Sequence, residues 1–328
     1  MYQELQMYNE NTMIPHPKVP HIHWCIDQVH YRNPHFHDTF EIDYVLNGSF
    51  LFTDSVQQFT CHEGDLILVN ANEVHEITSE GSSALLFCTQ ISSSFCHDYF
   101  PNFKRTLFSD CRIDQHFSPE ARRLLLDRMQ NAATAYWEAS DDYLFRCVSN
   151  SVLILESLLT NVPHQQISTS EYTSRIQTTE MMKEIKNFIQ ENFAEEALLQ
   201  KLATHIGFTS TYMSHFFKKY FHISFQQYLM RYRLETAVQM LFSTNMPILD
   251  ICTYCGFSDY RQLNNYCRTE YGCSARACRK ANAINSRSHP SLTPAHPQAQ
   301  QYLYSDQECL DYLAETGKLS DMKLAAQP

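Results

Sequence analysis

The chain has 328 residues, 44% of them hydrophobic and only 7 of them glycine, a composition typical of globular domains. Its length allows two domains with separate cores, and its composition excludes a chain that is disordered throughout. No apolar run approaches the roughly 18 residues that span a bilayer, and no basic-then-apolar leader opens the chain, so we expect a cytoplasmic protein without membrane contact. The 12 cysteines are then expected to be reduced thiols that fill cores.

Charge is unevenly distributed, although the formal total is -11 at pH 7. Residues 1–174 hold 9 basic and 22 acidic side chains, whereas residues 175–287 hold 14 basic and 9 acidic ones. A basic region in an otherwise acidic chain indicates an anionic partner for that region, such as a nucleic acid.

Short runs of alternating apolar and polar residues extend from Trp24 to about Leu86. Turn signals at Asn47-Gly48 and Glu63-Gly64 separate the runs. The pattern predicts an antiparallel β-barrel or sandwich within residues 1–118.

Histidines and a carboxylate lie on this pattern with the spacing His-x-His, three residues, Glu, six residues, Gly. Together with a later Gly-Asp pair and a third histidine, the spacing resembles the two motifs of a cupin domain. The second motif is looser, because Asn70 stands where cupins have Pro and Asn72 where they have Gly. The matching positions are His35, His37, Glu41, Gly48, Gly64, Asp65 and His75.

The resemblance implies that His35, His37, Glu41 and His75 converge inside the domain. In metal-binding cupins such a set holds a divalent transition metal with open positions. The alternative is that these residues line a pocket without metal, and we predict this second arrangement, with no cofactor. A small-molecule effector would then contact these four side chains, and Trp24, Tyr44 and Phe52 would add apolar or stacking surface.

Two helices are predicted next, at Pro119–Glu138 and Asp141–Val162, forming a helical segment over residues 119–162. The second helix carries an apolar stripe with helical spacing. The stripe either packs on the sheet domain or forms the seam of a homodimer. It consists of Leu144, Val148, Val152, Leu155 and Leu159. Residues 163–176 are polar and without periodicity, which predicts a mobile linker.

Two copies of one pattern follow each other in residues 177–281. In each copy a short helix ends at a Gly-Phe pair, Gly207-Phe208 or Gly256-Phe257, and a second helix begins at residues that can cap it. The capping candidates are Thr209, Ser210, Ser258 and Asp259. The pattern predicts two helix-turn-helix units, which would read two neighbouring stretches of the DNA major groove.

The order of these motifs over residues 185–272 resembles the DNA-binding domain of the AraC/XylS regulators. The resemblance implies an effector domain followed by an operator-binding domain. It places Thr211, Ser214, His215, Arg261 and Asn265 at positions that contact bases. The second unit departs from the family at several positions, namely Cys267 for Phe, Thr269 for Lys, Ala275 for Pro and Cys278 for Tyr, and His222 replaces a Gly after the first unit.

A capping-box sequence, Ser224-Phe225-Gln226-Gln227, predicts a helix that runs to about Phe242 and holds the two units apart. The polar residues on each recognition helix are expected to face outward. Arg261 and Asn265 are the best candidates for base readout, because Arg binds guanine and Asn binds adenine with two hydrogen bonds each. Lys218, Lys219 and Arg268 are expected to contact phosphates. The outward set also includes Tyr260 and Asn264.

Five cysteines lie in the second unit, and the pair Cys252 and Cys255 has the spacing of a redox or zinc motif. We expect both thiols to fill the core instead. The polar tail over residues 282–328 is expected to be largely disordered, with one short helix within Tyr302–Gly317.

The sequence therefore predicts an α+β multidomain protein that is a transcription regulator rather than an enzyme. It would bind a double-stranded DNA operator as a homodimer, respond to a small-molecule effector such as a sugar, and contact RNA polymerase as a further partner. One alternative is a metal-dependent cupin enzyme fused to a DNA-binding domain. Another is a regulator whose first domain only dimerises.

Overall fold

A computed structural model describes residues 18–54, 56–79, 83–285, 301–317 and 319–321. The chain divides into two compact units, one formed by residues 1–176 together with residues 300–328, and one formed by residues 177–299. Within the described ranges, no helix combines the length and the apolar character needed to cross a membrane.

Antiparallel strands build the first unit. They are β1 (Ile22–Val29), β2 (Tyr31–His35), β3 (Thr39–Asn47), β4 (Ser49–Asp54), β5 (Gln58–His62), β6 (Leu66–Val69), β7 (His75–Ser79), β8 (Ala84–Ser92), β9 (Thr106–Phe108), β10 (His164–Gln166) and β11 (Gln301–Leu303). One sheet has the order β11-β1-β8-β3-β6, a second has the order β2-β7-β4-β5, and β9 pairs with β10. Among these described strands the ladders do not join the two large sheets, so the domain is a sandwich rather than a closed barrel.

Strand β3 lies at the centre of the unit, and every residue in it except Asn47 is buried. Successive side chains on a strand point to opposite faces. Val45 belongs to the apolar cluster between the two sheets, whereas Phe40, Ile42 and Tyr44 belong to the cluster beneath the helices. The five-stranded sheet is therefore covered on both faces.

Helices α1 (Pro119–Glu138) and α2 (Tyr143–Asn161) pack on the outer face of the five-stranded sheet. The bounds predicted for α1 are confirmed, and its first turn is capped by Ser118, whose hydroxyl accepts a hydrogen bond from Ala121 N–H at 3.2 Å. On α2 the predicted stripe is divided. Leu155 is buried in the core, whereas Leu144, Val148 and Leu159 remain exposed.

Residues 163–176 contain regular structure, unlike the mobile linker expected there. Strand β10 pairs with β9, and helix α3 (Thr169–Asn192) begins before the expected linker ends. Two local contacts explain the difference. Ser168 Oγ accepts from Glu171 N–H at 3.1 Å, and Ile167 is buried with its N–H donated to Arg105 O at 2.9 Å.

Part of the C-terminal tail returns to the first unit, although the tail over residues 282–328 was expected to be largely disordered. The one short helix expected within Tyr302–Gly317 is present. Strand β11 extends the β1 edge, and helix α10 (Asp306–Thr316) begins with a capping box between Ser305 and Glu308. Cys309, Leu313 and Leu319 are buried in the same core as α1. Residues 286–300 and 322–328 of that tail lie outside the described residues.

Helices alone form the described part of the second unit. After α3 come α4 (Leu198–Ile206), α5 (Ser210–Phe221), α6 (Phe225–Ser243), α7 (Ile248–Tyr254), α8 (Tyr260–Tyr271) and α9 (Ala275–Asn285). The pairs α4–α5 and α7–α8 are the two helix-turn-helix units, and both pack against α6. The predicted capping box at Ser224 and Gln227 is confirmed, and α6 ends at Ser243, one residue beyond the expected bound.

Candidate DNA interface and effector site

The two recognition helices, α5 and α8, begin with the same kind of cap. Thr209 Oγ1 accepts from Tyr212 N–H at 3.1 Å, and the carboxylate of Asp259 accepts from Gln262 N–H at 2.8 Å. Each acceptor satisfies one of the free N–H groups of a first helical turn. Gly207, with φ +80°, ends α4 in the left-handed conformation and turns the chain toward α5.

Each recognition helix has 12 residues and presents a polar stripe at matching second, sixth and ninth positions. All six side chains of the two stripes are exposed. A spacing of four and then three residues keeps such side chains on one face of a helix. The first stripe is Thr211, His215 and Lys218, and the second stripe is Arg261, Asn265 and Arg268.

Contacts within the protein involve four further predicted DNA-binding residues, which are Ser214 and Lys219 on α5 and Tyr260 and Asn264 on α8. Ser214 Oγ donates to Ser210 O at 2.9 Å, and Lys219 Nζ lies 4.8 Å from the ring centre of Tyr220.

On α8, Tyr260 and Asn264 are half-buried, and the carboxamide oxygen of Asn264 accepts from Ala275 N–H at 3.2 Å. The Tyr260 hydroxyl also donates to this oxygen, at 3.4 Å. These two residues therefore connect α8 to the start of α9.

Arg233 on α6 holds together parts of the second unit that are distant in sequence. Its buried guanidinium donates to Phe193 O at 2.6 Å, to Gly256 O at 2.8 Å and to Glu195 O at 3.0 Å. Gly256 has φ +74°, and an added Cβ would lie 2.7 Å from the backbone of Ala194, so only glycine fits there. The sequence pattern did not reveal this role of Arg233, because its three acceptors are backbone carbonyls.

The cupin-like residues of the first unit come together between the two sheets, and all four are buried. The ring centres of His35 and His75 are 4.0 Å apart, and those of His37 and His75 are 5.1 Å apart. Glu41 faces both of the latter rings, with 3.1 Å from His37 Nε2 to Oε2 and 3.5 Å from His75 Nε2 to Oε1. The ring nitrogens of the three histidines lie within 4.8 Å of one another.

Backbone carbonyls orient two of these rings. His37 Nδ1–H donates to Thr39 O at 2.9 Å, and His75 Nδ1–H donates to Glu73 O at 3.1 Å. The Nε2 atoms therefore carry the lone pairs when the rings are neutral, and they point toward Glu41. Neither Nε2 atom nor Glu41 Oε1 has a hydrogen-bond partner with good geometry.

Burial shifts the pKa values of this cluster in opposite directions, because it disfavours the charged form of an imidazole and of a carboxylate alike. It lowers the pKa of His75, and that of His35 falls well below its ordinary value for the same reason. Burial alone would raise the pKa of Glu41, but His37 and His75 beside it take this pKa well below the usual range. The cluster thus places a carboxylate that favours its charged form beside two imidazoles, His35 and His75, that favour their neutral form.

Trp24 and Tyr44, which we expected at the effector site, lie on the other face of the five-stranded sheet. Trp24 packs at 5.4 Å from the ring of Tyr136 on α1, and Arg122 on α1 lies 5.6 Å from the ring of Tyr44. For Tyr44 this follows from strand parity, because Tyr44 is three positions after Glu41 on β3 and an odd offset reverses the face.

Sequence reasoning missed several neighbours of Glu41. Gln90 is directly opposite Glu41 in the β3–β8 register and donates to Oε2 at 2.5 Å. Asp43 follows Glu41 on the same strand face, and burial together with the Glu41 charge raises its pKa well above the ordinary value. The period of two identifies Asp43 in the sequence, whereas Gln90 requires knowledge of the strand register.

Two family models match this chain. The AraC-like ligand binding domain matches residues 16–142, and a helix-turn-helix domain matches residues 202–281. The chain belongs to the AraC family. The first match covers the strands that hold the His cluster, and the second covers both recognition helices. As an AraC-family member the chain is a DNA-binding transcription regulator with a ligand-binding domain.

Relatives of this AraC-family chain include regulators from several bacteria. The uncharacterized HTH-type transcriptional regulator YfiF of Bacillus subtilis is 22% identical over 72% of this chain and 76% of its own length. The regulatory protein PocR of Salmonella typhimurium is 28% identical over 46% of this chain and 50% of its own length.

Among solved structures, the C-terminal domain of the response regulator yesN from Fusobacterium nucleatum is 29% identical. It covers 30% of this chain and 98% of its own, with a TM-score of 0.29.

Proposed function

We propose that a small effector bound between the two sheets by His35, His37, Glu41 and His75 controls how the two helix-turn-helix units bind an operator. One observation carries the effector site: the buried atoms His37 Nε2, His75 Nε2 and Glu41 Oε1 lie close together between the two sheets and have no hydrogen-bond partner of good geometry. Buried polar groups almost always have partners, and a bound effector would supply them.

Carbohydrate is the first effector class to test, as the sequence predicted. Gln90, Glu41 and the imidazole nitrogens offer hydrogen bonds that suit hydroxyl groups. The aromatic surface expected from Trp24 and Tyr44 belongs to the core instead. A polar ligand held mainly by hydrogen bonds therefore fits this site better than a ligand held by stacking.

A divalent transition metal is the second candidate, because of the orientation of His37 and His75. When these rings are neutral, their Nε2 lone pairs point at carboxylate oxygens of Glu41, at 3.1 Å and 3.5 Å, an arrangement that is repulsive unless a proton or a cation lies between them. Nδ1–H groups donated to backbone carbonyls are typical of metal-ligating histidines. His35, His37, His75 and Glu41 would hold the ion, which would supply a Lewis-acidic positive charge to the site.

A thermal-shift screen of the full chain against sugars and divalent metal ions separates these candidates. Stabilisation by a sugar that is lost in Glu41→Gln supports the first, whereas stabilisation by a metal that is lost in His75→Ala supports the second. Glu63→Gln is the control, because Glu63 is exposed. Stabilisation that survives both site substitutions would contradict the proposed location. No response to either class would favour a domain that only dimerises.

A metal-dependent enzyme fused to a DNA-binding domain requires a stoichiometric ion in the protein. Metal analysis of the purified chain tests this alternative directly. A metal content far below one ion per chain, unchanged after incubation with zinc, manganese or iron, would exclude it.

For the DNA-binding unit, we propose that α5 and α8 enter successive major-groove segments. The support is the matching pair of exposed stripes described above. Arg261 and Asn265 would read bases, with weaker discrimination by Thr211, Ser214 and His215. Lys218, Lys219 and Arg268 would contact phosphates. Tyr260 and Asn264 would then act mainly by positioning α8, because Tyr260 donates to Asn264 and Asn264 accepts from the first N–H of α9.

We also propose that the regulator is a homodimer that pairs through α2. The exposed apolar residues Leu144, Phe145, Val148 and Leu159 support this proposal, with Phe145 81% exposed. Sedimentation of the full chain should give a dimer for the native sequence and a monomer for Phe145→Asp. Asn131→Asp is the control, because Asn131 is exposed and polar on α1, outside the proposed interface. A dimer that survives Phe145→Asp would place the interface elsewhere.

A further inference from the structure

Two cysteines face each other across neighbouring strands of the five-stranded sheet. Cys25 on β1 is the direct register partner of Cys88 on β8. Directly opposite residues of an antiparallel pair have Cα atoms about 4.5–5.5 Å apart, and disulfides span Cα distances of about 4.4–6.8 Å. Their side chains are already within hydrogen-bond contact. The backbone therefore allows an S–S bond without changing the strand register.

The two thiols differ in exposure and in pKa. Cys25 is half-buried and Cys88 is buried. The hydrogen bond from Cys88, with further help from His23, lowers the pKa of Cys25 to about 5. The pKa of Cys88 is raised well above its ordinary value by the same contact and by burial. Cys25 is therefore the more acidic thiol of the pair.

Other cysteines of similar exposure lack these features. Cys96 and Cys273 are also half-buried, but burial raises the pKa of both, to about 12 for Cys273. Reactive cysteines combine thiolate character with access to solvent, and structural cysteines lack one or the other. The combination of a lowered pKa, partial exposure and a directly opposed partner thiol distinguishes Cys25.

We propose that Cys25 and Cys88 are a site of reversible oxidation, in which peroxide converts the two thiols to a disulfide. The Cys25 thiolate attacks one peroxide oxygen, the O–O bond breaks, and Cys25 becomes a sulfenic acid as hydroxide leaves and is protonated to water. The sulfur of Cys88 then attacks the sulfenic sulfur, the S–S bond forms, and the Cys88 proton leaves with the hydroxyl group as a second water. Two thiols lose two electrons and one hydrogen peroxide gains them.

The pair adjoins the proposed effector site. Cys88 is also the register partner of Asp43 on β3, and a hydrogen bond joins their side chains. Asp43 in turn contacts Glu41. Disulfide formation removes the Cys88 proton from this network, so oxidation should change effector affinity. This last consequence rests on the proposed function, whereas the disulfide itself does not.

Peptide mapping of the oxidised full-length protein tests the proposal. Reduced protein is treated with one equivalent of hydrogen peroxide, alkylated, digested and analysed by mass spectrometry without reductant. We expect a linked peptide pair containing Cys25 and Cys88, loss of two alkylatable thiols of the 12, and recovery of both with dithiothreitol. Oxidation that falls first on any other cysteine, or that leaves Cys25 and Cys88 unlinked, would overturn the proposal.

Single substitutions separate the formation of the sulfenic acid from the formation of the disulfide. Cys88→Ser should stop oxidation at a sulfenic acid on Cys25, trapped by dimedone, whereas Cys96→Ser should behave as the native chain. A measurement on the native protein avoids any effect of substitution on folding. Iodoacetamide at pH 6 should label Cys25 on the order of tenfold faster than Cys96, because thiolate is the reacting form. Equal labelling rates would count against Cys25 as the attacking group.

Discussion

The two helix-turn-helix units share one plan but divide their side chains differently. The inward face of α5 carries Phe216, Phe217 and Phe221, all buried, whereas the inward face of α8 carries Leu263 and Cys267. In the outward stripes the second helix-turn-helix unit has the side chains with the greater capacity for base readout. Thr211 and His215 in the first unit have modest capacity for base readout, while Arg261 and Asn265 at the matching positions of the second can each make bidentate contacts.

The comparison indicates that core packing and base readout vary independently along one helix pattern. Three of the four departures from the AraC family in the second helix-turn-helix unit, Cys267, Ala275 and Cys278, are buried, whereas Thr269 is exposed. The buried replacements reduce the size of the core, while Arg261 and Asn265 remain exposed on α8. A helix-turn-helix unit with an atypical interior thus keeps the polar stripe that we propose reads bases.

The largest effect is expected from truncating the matched inward positions Phe217 and Cys267. Phe217→Ala should lower the free energy of unfolding of the whole DNA-binding unit, residues 177–299, by about 3–5 kcal/mol, because a fully buried ring leaves a cavity. Cys267→Ala should cost only about 1 kcal/mol, since little volume is removed. Urea denaturation of the full chain measures both. Equal losses would remove the proposed difference between the two cores.

Arg233→Met should destabilise both helix-turn-helix units together, lowering the free energy of unfolding by about 3 kcal/mol. The substitution keeps the length of the side chain but leaves three backbone carbonyls without their donor. Gln226→Met on the same helix is the control, because Gln226 is exposed. Hydrogen exchange followed along α4 and α7 reports where the loss occurs. Loss of exchange protection confined to one helix-turn-helix unit would mean that Arg233 does not join the two units.

Arg261→Ala should weaken binding to a duplex selected from a random library by about 1–3 kcal/mol, with the fold unchanged. Thr211→Ala at the matching position of α5 should cost less, because a threonine hydroxyl makes one contact where arginine makes two. Fluorescence anisotropy with selected and scrambled duplexes gives both values. An equal loss on scrambled DNA would reassign Arg261 to phosphate contact.

The smallest effect concerns salt dependence. Lys218→Ala should reduce the slope of log affinity against log salt concentration by about 1, on selected and scrambled duplexes alike. Lys201→Ala is the control, because Lys201 on α4 pairs with Glu195 at 2.6 Å. A slope that stays at the native value in Lys218→Ala would remove this residue from the phosphate contacts.

Much of the helical domain follows from local signals. Thr209, Asp259 and Ser224 cap helices where their short polar side chains predict caps, and Pro119 begins α1 as expected. Local signals suffice there because capping and helical periodicity depend on residues within a few positions of each other.

The sandwich was harder to predict, because its site combines residues from separate strands. His35, His37, Glu41 and His75 came together as the cupin-like spacing implied. Cys25, Cys88 and Gln90 depend on the β1–β8–β3 register, which no local pattern encodes. The packing of Cys309 and Leu313 was missed for the same reason, since their partners lie far earlier in the chain.

The return of β11 and α10 to the first unit has a practical consequence for dissecting this regulator. A fragment that stops at Ile176 would lack the strand that covers the edge of β1 and the side chains of Cys309, Leu313 and Leu319. Uncovered sheet edges promote aggregation. A soluble ligand-binding fragment should therefore be built by joining residues 18–176 to residues 300–321 through a flexible peptide that replaces the DNA-binding unit.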